Sequence, residues 1–298
     1  MPYLECQAGA FLRCAYQHFE SAPGRGPVLV EVSTGGYTEG GSGTMSADIT
    51  DILREWEFDS DNQIRIIQAE DGRQVLQVRQ PMGIEQYELD GRPDGKKPFG
   101  RESALEEFQA RLESYRTAHG GEEGFALSHE DFAALQGEGV LFYFRYLVLF
   151  QIGDFIRTAR DTEHNLNLFA LVERFIDSDD DRKELLQYKP YVVRMNAIAR
   201  AMISLHKEMK SAAEDILSSA ISAIEDMHDI DTPAFQFERV RSLNYLKATL
   251  KQIHEKKGSA ADSLKVELQS AIDDEDYERA AALRDRIQEL DVKEPQEE

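Results

Sequence analysis

The sequence predicts a mainly α protein with a small antiparallel β part, and three observations carry that reading. Between Ile64 and Leu89 apolar and polar residues alternate, the period of half-buried strands. From Ser103 onward apolar residues recur three and four positions apart in segment after segment, as amphipathic helices require. Near the C-terminus two such series flank four consecutive acids, Asp273 to Asp276, which describes a short helical hairpin. The expected order is a β-meander, then a repeat-like helical domain, then the hairpin. In residue numbers this gives a leading extension at 1–45, a meander with a short leading helix at 46–100, and helices at 101–256. The hairpin follows at 260–292, with a tail at 293–298.

Composition narrows the function classes. Fifty-six acidic against 34 basic residues give a net charge of −22 over 298 residues. Such a chain is repelled by nucleic acid and anionic lipid unless basic residues segregate on one face. Arg194, Arg200, Arg239, Arg241 and Lys247 are the nearest approach to a basic strip, and neighbouring acids are expected to pair with them. Neither direct nucleic-acid contact nor a membrane partner is expected. The most apolar run, 140–152, is shorter than the ~20 residues a membrane span needs and contains Arg145. A cytoplasmic protein follows as the expectation, since no basic region leads into an apolar core at the start.

Residues 1–44 hold eight of the twenty glycines, both cysteines and six charged residues. They read as a disordered extension, or as one wrongly joined to the protein, in which residues 28–32 resemble a strand without a partner. Cys6 and Cys14 are too few for a four-thiolate zinc site. Asp48 is positioned to cap a short helix through Trp56. Strands are expected around Ile64, Val75 to Arg79 and Ile84 to Leu89, the first turn being Asp71-Gly72. The Gly91 to Lys97 loop lacks phosphate-loop spacing and reads as a rigid surface turn.

Helix punctuation is strong further on. Ser103 with Glu106 and Ser128 with Asp131 are capping boxes, and Leu127 can staple onto Phe132. Gly137 and Gly139 are expected to end the second of these helices before an almost wholly apolar one at 140–152. Gly153-Asp154 stops one helix and caps the next, and Asp177 to Asp181 breaks that one. Pro190 suits the first turn of another. A further helix should turn Ala212, Ile216, Ala220, Ala223 and Met227 inward. Thr232-Pro233 opens a long one with Phe237, Leu243, Leu246, Leu250 and Ile253 inward. Residues 145–159 and 197–220 each resemble a tetratricopeptide unit, with an irregular period.

In the C-terminal hairpin, Leu264, Leu268 and Ala271 line one helix, and Tyr277, Ala280, Leu283, Ile287 and Leu290 the other. The second reads Tyr277-Glu278-Arg279-Ala280-Ala281-Ala282-Leu283-Arg284-Asp285-Arg286-Ile287-Gln288-Glu289-Leu290. This resembles the UVR motif, the UvrB/UvrC motif, with Tyr in place of the commoner Phe. The resemblance implies a partner-binding module without chemistry of its own, as in excision-repair proteins, Clp-type unfoldases and activators of protein-arginine kinases. Those activators add cysteine-rich zinc modules, which two cysteines cannot supply. The expected partner-binding residues are Leu264, Leu268, Tyr277, Ala280, Ala281, Leu283, Arg284, Asp285, Ile287 and Leu290. The partner is a protein, either a second copy or another UVR-type chain. A hairpin this small cannot bury enough apolar surface alone.

No catalytic constellation, cofactor motif or metal signature stands out. The seven histidines are scattered and expected to be solvated, and no dinucleotide fingerprint or nucleophile elbow occurs. The expected function is a non-enzymatic adaptor, with an accessory role in nucleotide excision repair as the alternative.

Overall fold

A computed structural model describes residues 48–273, 279 and 282–284, with side chains described for 48–254, 268, 279 and 282–284. The expectations for residues 1–45, including Cys6, Cys14 and the strand-like 28–32, lie outside the described residues.

The described residues open with α1 (Thr50–Glu55), whose N-cap position is Ile49, not the expected Asp48; Asp48 Oδ1 still accepts from Thr50 N at 2.9 Å. The meander is β1 (Ile64–Gln68), β2 (Gln74–Gln80) and β3 (Gly83–Glu88), antiparallel in that order. Gly72 takes φ +85 in the first turn, a conformation that side-chain-bearing residues rarely adopt. The register pairs Ile66 with Leu76 and Leu76 with Tyr87, so one apolar face forms. That face packs Ile66, Leu76 and Leu89 against Leu149 of the helical part. On the strands Arg79 is buried, its Nε donating to the Trp56 carbonyl at 2.6 Å.

Seven helices follow: α2 (Ala104–His119), α3 (His129–Gln151), α4 (Phe155–Phe175), α5 (Asp179–Leu186), α6 (Lys189–His206), α7 (Lys210–Glu225) and α8 (Pro233–Asp273). The caps act where local chemistry placed them. Ser128 and Asp131 form the complete reciprocal box. Ser103 accepts from Glu106 N, but Glu106 reaches back to Glu102 N instead of the cap, so only half of that box exists. Gly153 at φ +77 ends one helix, and Asp154 caps α4 through Arg157 N at 3.0 Å.

Three local expectations are corrected and a fourth is refined. Gly137 and Gly139 do not end a helix, because α3 runs through both. A helical glycine costs about 1 kcal/mol, and packing overrides it: Asn165 Nδ2 on α4 donates to the Gly139 carbonyl at 3.0 Å. The expected break after α4 is present, at 176–178, and the acids at 179–181 go on to form the first turn of α5 under the Ser178 cap, where carboxylates suit the positive helix end. The α7 stripe is met in part: Ala220 is buried and Ile216 and Met227 pack half-buried against the core as expected, but Ala213, Leu217, Ile221 and Ile224 form its centre while Ala223 is exposed. Two stripes with helical spacing compete there, and the one with larger side chains gains more from burial. Finally Phe235, not Phe237, is buried at the start of α8.

α4 packs against α3 and α6, α6 against α7, and α8 against α6 and α7. One core joins α2, the first half of α3, the second half of α4 and α5 around Phe108, Phe132, Leu135, Leu168 and Val172. A second joins the other half of α3 to α6, α7 and α8 around Tyr146, Ala199, Leu217, Ile224 and Leu246. The two windows with tetratricopeptide-like character are tight helix–turn–helix junctions, α3 to α4 and α6 to α7. Their helices, of 23 and 21 residues and of 18 and 16, do not repeat at a fixed length. α8 continues unbroken for 41 residues, so no gap separates the helical part from the start of the hairpin region.

Candidate functional site

The segment from Phe132 to Ile152 holds two charged residues, Glu138 and Arg145, and both are fully buried. An ordinary surface helix turns its charges to water, so α3 is inverted in this respect. Its inward charges build a polar clamp at the junction of meander and helices.

Glu138 Oε2 accepts from Arg92 Nη1 at 2.9 Å and from Ala104 N at 2.7 Å. Oε1 accepts from Leu105 N at 3.0 Å and from His164 Nε2 at 3.1 Å. A carboxylate only accepts, so that imidazole nitrogen carries the proton. One side chain thus caps the N-terminus of α2 from another helix and anchors the Arg92 loop. His164 in turn stacks on Phe142 with ring centroids 3.7 Å apart. The expectation of solvated histidines is corrected at this residue: its partners are a buried carboxylate and a buried ring on another helix, which sequence spacing cannot reveal.

Two turns further along α3, Arg145 meets Asp161 of α4 in a bidentate pair, Nε to Oδ2 at 2.6 Å and Nη2 to Oδ1 at 2.8 Å. Its remaining Nη1 donates to the Glu88 carbonyl at 2.7 Å. Arg160 donates to Asp161 Oδ1, to the Leu89 carbonyl and to Asp90. The end of β3 is therefore tied to α3 and α4 by two guanidinium groups. The clamp was missed because carboxylates are too abundant to single out pairs. A usable signal was present: isolated charges in an otherwise apolar helix must be paired inside.

Burial by itself would push the Glu138 carboxyl up. Hydrogen bonds from His164 and from the Ala104 and Leu105 N–H groups outweigh burial and hold it below the usual glutamate range. With the folded value depressed, this stabilisation is complete above the ordinary glutamate value and is lost as pH falls through the folded value. Glu138→Gln should destabilise at neutral pH by about 1–3 kcal/mol, since an amide cannot accept all four donors. In melts from pH 7 to pH 3, the gap between wild type and variant should close on acidification. A gap independent of pH would contradict the assignment.

The basic strip does not face a partner. Arg194 is buried between the rings of Tyr191 and Tyr245, and burial lowers its pKa despite nearby Glu238. Arg239 donates to the Glu225 carbonyl, Lys247 pairs with Glu225 and Arg241 with Glu238. Arg200 is exposed.

Beyond its acidic first turn, where Glu130 is exposed, α3 presents Ala133, Gly137, Val140 and Phe144 outward, Val140 being 46% and Phe144 41% exposed. Leu147 and Val148 flank that stripe, half-buried. Of the expected partner-binding residues, Leu268 is half-buried, Leu283 is buried and Arg284 is exposed beside exposed Ala282. Leu264 lies within α8, its side chain outside the described set. Tyr277, Ala280, Ala281, Asp285, Ile287 and Leu290 lie outside the described residues. Among the described residues no group of three or more His, Cys, Asp and Glu could hold a metal ion, and no helix is long and apolar enough to cross a membrane.

Residues 259–293 match the model of the UVR family, the UvrB/uvrC motif. No curated protein and no solved structure matches the chain.

Proposed function

We infer that the chain is a non-enzymatic adaptor that holds protein partners through its UVR hairpin and its helical surface. The observation that carries the reading is the placement of the UVR motif. It starts inside α8, beyond Ile253, the last described residue of α8 in the helical core. A partner-binding module on a continuous helix suits an adaptor. Glu138, His164, Arg145 and Asp161, the groups best suited to acid–base chemistry, are engaged in the clamp, which supports a structural use for them. The reading places the adaptor in the cytoplasm without direct contact with nucleic acid or membrane. The test is capture of protein partners by the full chain and by a chain ending before 259. Capture should require the motif, and equal capture by both would overturn the reading.

The name of the matched motif favours one second reading, an accessory factor of nucleotide excision repair recruited through the hairpin. It differs in the identity of the partner, an excision-repair protein. Duplex DNA itself should not bind tightly at physiological salt, given the net charge of −22 and the internally paired arginines. Fluorescence anisotropy with a labelled duplex checks this. Submicromolar binding with a steep salt dependence would contradict the indirect role in both readings.

A further inference from the structure

We propose that α8 is a latch on the helical body: it separates from α6 and α7 as a unit while the other helices stay packed, and it takes the start of the matched motif with it. Among the described residues four buried side-chain oxygens lack a hydrogen-bond partner: Tyr146 Oη on α3, Asn165 Oδ1 on α4, and Glu238 Oε2 and Ser242 Oγ on α8. They gather at one junction. Tyr146 meets Tyr143 edge to face with ring centroids 5.6 Å apart, and Tyr143 meets Tyr191 of α6 at 6.1 Å. Arg194 lies over the Tyr191 and Tyr245 rings, and its Nη2 stops 3.8 Å from Glu238 Oε2, beyond hydrogen-bond reach. Ser242 follows Glu238 by one turn on the same face of α8. Asn165 lies beside the Tyr146 hydroxyl without completing a hydrogen bond to it.

The neighbouring seams are built differently. Between α3 and α4 the Arg145 guanidinium grips Asp161 through two bonds, and Asn165 Nδ2 donates to the Gly139 carbonyl. Between α4 and α6, Asn196 Nδ2 donates to the Ala159 carbonyl at 3.1 Å and to Thr162 Oγ1 at 3.0 Å. At α8 the ion pairs of Lys247 with Glu225 and of Arg239 with Asp229 lie at the surface, where such pairs contribute little. Docking of this helix depends on the burial of Phe235, Leu246 and Ile253.

A buried polar atom without a partner forfeits the hydrogen bond that water offers it in an opened state. Separating α8 returns that bond to Glu238, Ser242 and Tyr146 and hydrates the Arg194 donors. Parting α3 from α4, or α4 from α6, instead breaks bonds already made. α8 is therefore the helix that leaves first. It is one unbroken helix from Pro233 to Asp273, so residues 259–273, the first part of the matched motif, move with it. The latch belongs to the helical body and stands or falls independently of what the motif binds.

Hydrogen exchange of the full chain in low urea, read by mass spectrometry, tests the latch directly. Amides of residues 235–254 should become exchangeable together at a urea concentration where α3, α4 and α6 remain protected. Tyr146→Phe removes one unpartnered hydroxyl at nearly constant helix propensity, and should slow exchange of α8 about fivefold. Ser242→Ala should slow it by more than the roughly twofold that a better helix former alone supplies. Thr162→Val is the contrasting variant, because that buried hydroxyl both donates to the Thr158 carbonyl and accepts from Asn196. Its loss should speed exchange of α4 instead. Exchange of α8 only in step with α4 and α6 would overturn the latch. Unchanged or faster α8 exchange in Tyr146→Phe would overturn it too, since the hydroxyl would then have a partner in solution.

Discussion

Asp161→Ala should cost about 3–5 kcal/mol, the expected penalty for leaving one member of a buried ion pair without the other. Arg145 and Asp161 both have side chains with no exposure to solvent, so no water can take the place of the lost carboxylate. The aspartate also accepts from Arg160, which holds the Leu89 carbonyl. Its removal should therefore loosen the end of β3 as well as the α3–α4 contact. Against a total stability of about 5–15 kcal/mol for a typical domain, such a loss brings the chain close to unfolding. The double variant Arg145→Met with Asp161→Leu should recover much of the loss, because both desolvation costs vanish together. It will not recover everything, since the Glu88 carbonyl loses its donor. Urea unfolding of the single and double variants gives both quantities. A loss below ~1 kcal/mol in the single variant would show that the clamp is not a stabilising element.

Ala281→Glu should abolish partner capture while leaving the helical body intact. A carboxylate introduced where another helix must approach costs several kcal/mol if it is buried by the partner. Four kcal/mol is close to a thousandfold in affinity. The two helical cores are built around residues up to Ile253, so the main melting transition should not move. Association measured by sedimentation or capture, beside a circular-dichroism melt, separates the two effects. Unchanged association with intact helicity would mean that the motif serves only as a docked terminus. The adaptor reading would then depend on the helical surface alone.

These two experiments probe opposite uses of charge in the same molecule. In the clamp, buried charges hold a sheet of three strands against a helical body that lacks an obvious site for it. In the hairpin sequence, acidic residues outnumber basic ones around the apolar series Tyr277, Ala280, Leu283 and Ile287. Asp161 and Ala281 thus test architecture and association separately, and neither result constrains the other.

Sequence alone determined the elements whose signals act within a turn or two of chain. The meander followed from alternation and Asp71-Gly72, α3 and α4 from Ser128 and Asp154, and the motif at 259–293 from its run of residues. The tertiary structure decided what depends on distant neighbours. Whether Phe235 or Phe237 turned inward, and which of two stripes on α7 was buried, depended on where the facing helices lay. Gly139 stayed helical with Asn165 and Leu168 of α4 beside it, a contact across 26 residues of chain, and α3 runs on through exposed Gly137 as well. Glu138, Arg145 and Asp161 looked like three acids and bases among ninety. A carboxylate carries no local mark of burial, and only the fold brings Arg92, His164 and two backbone N–H groups to one of them. Local preferences of a fraction of a kcal/mol per residue select helix or strand. Desolvation, worth several kcal/mol per buried charge, is settled only when the whole chain has closed around it.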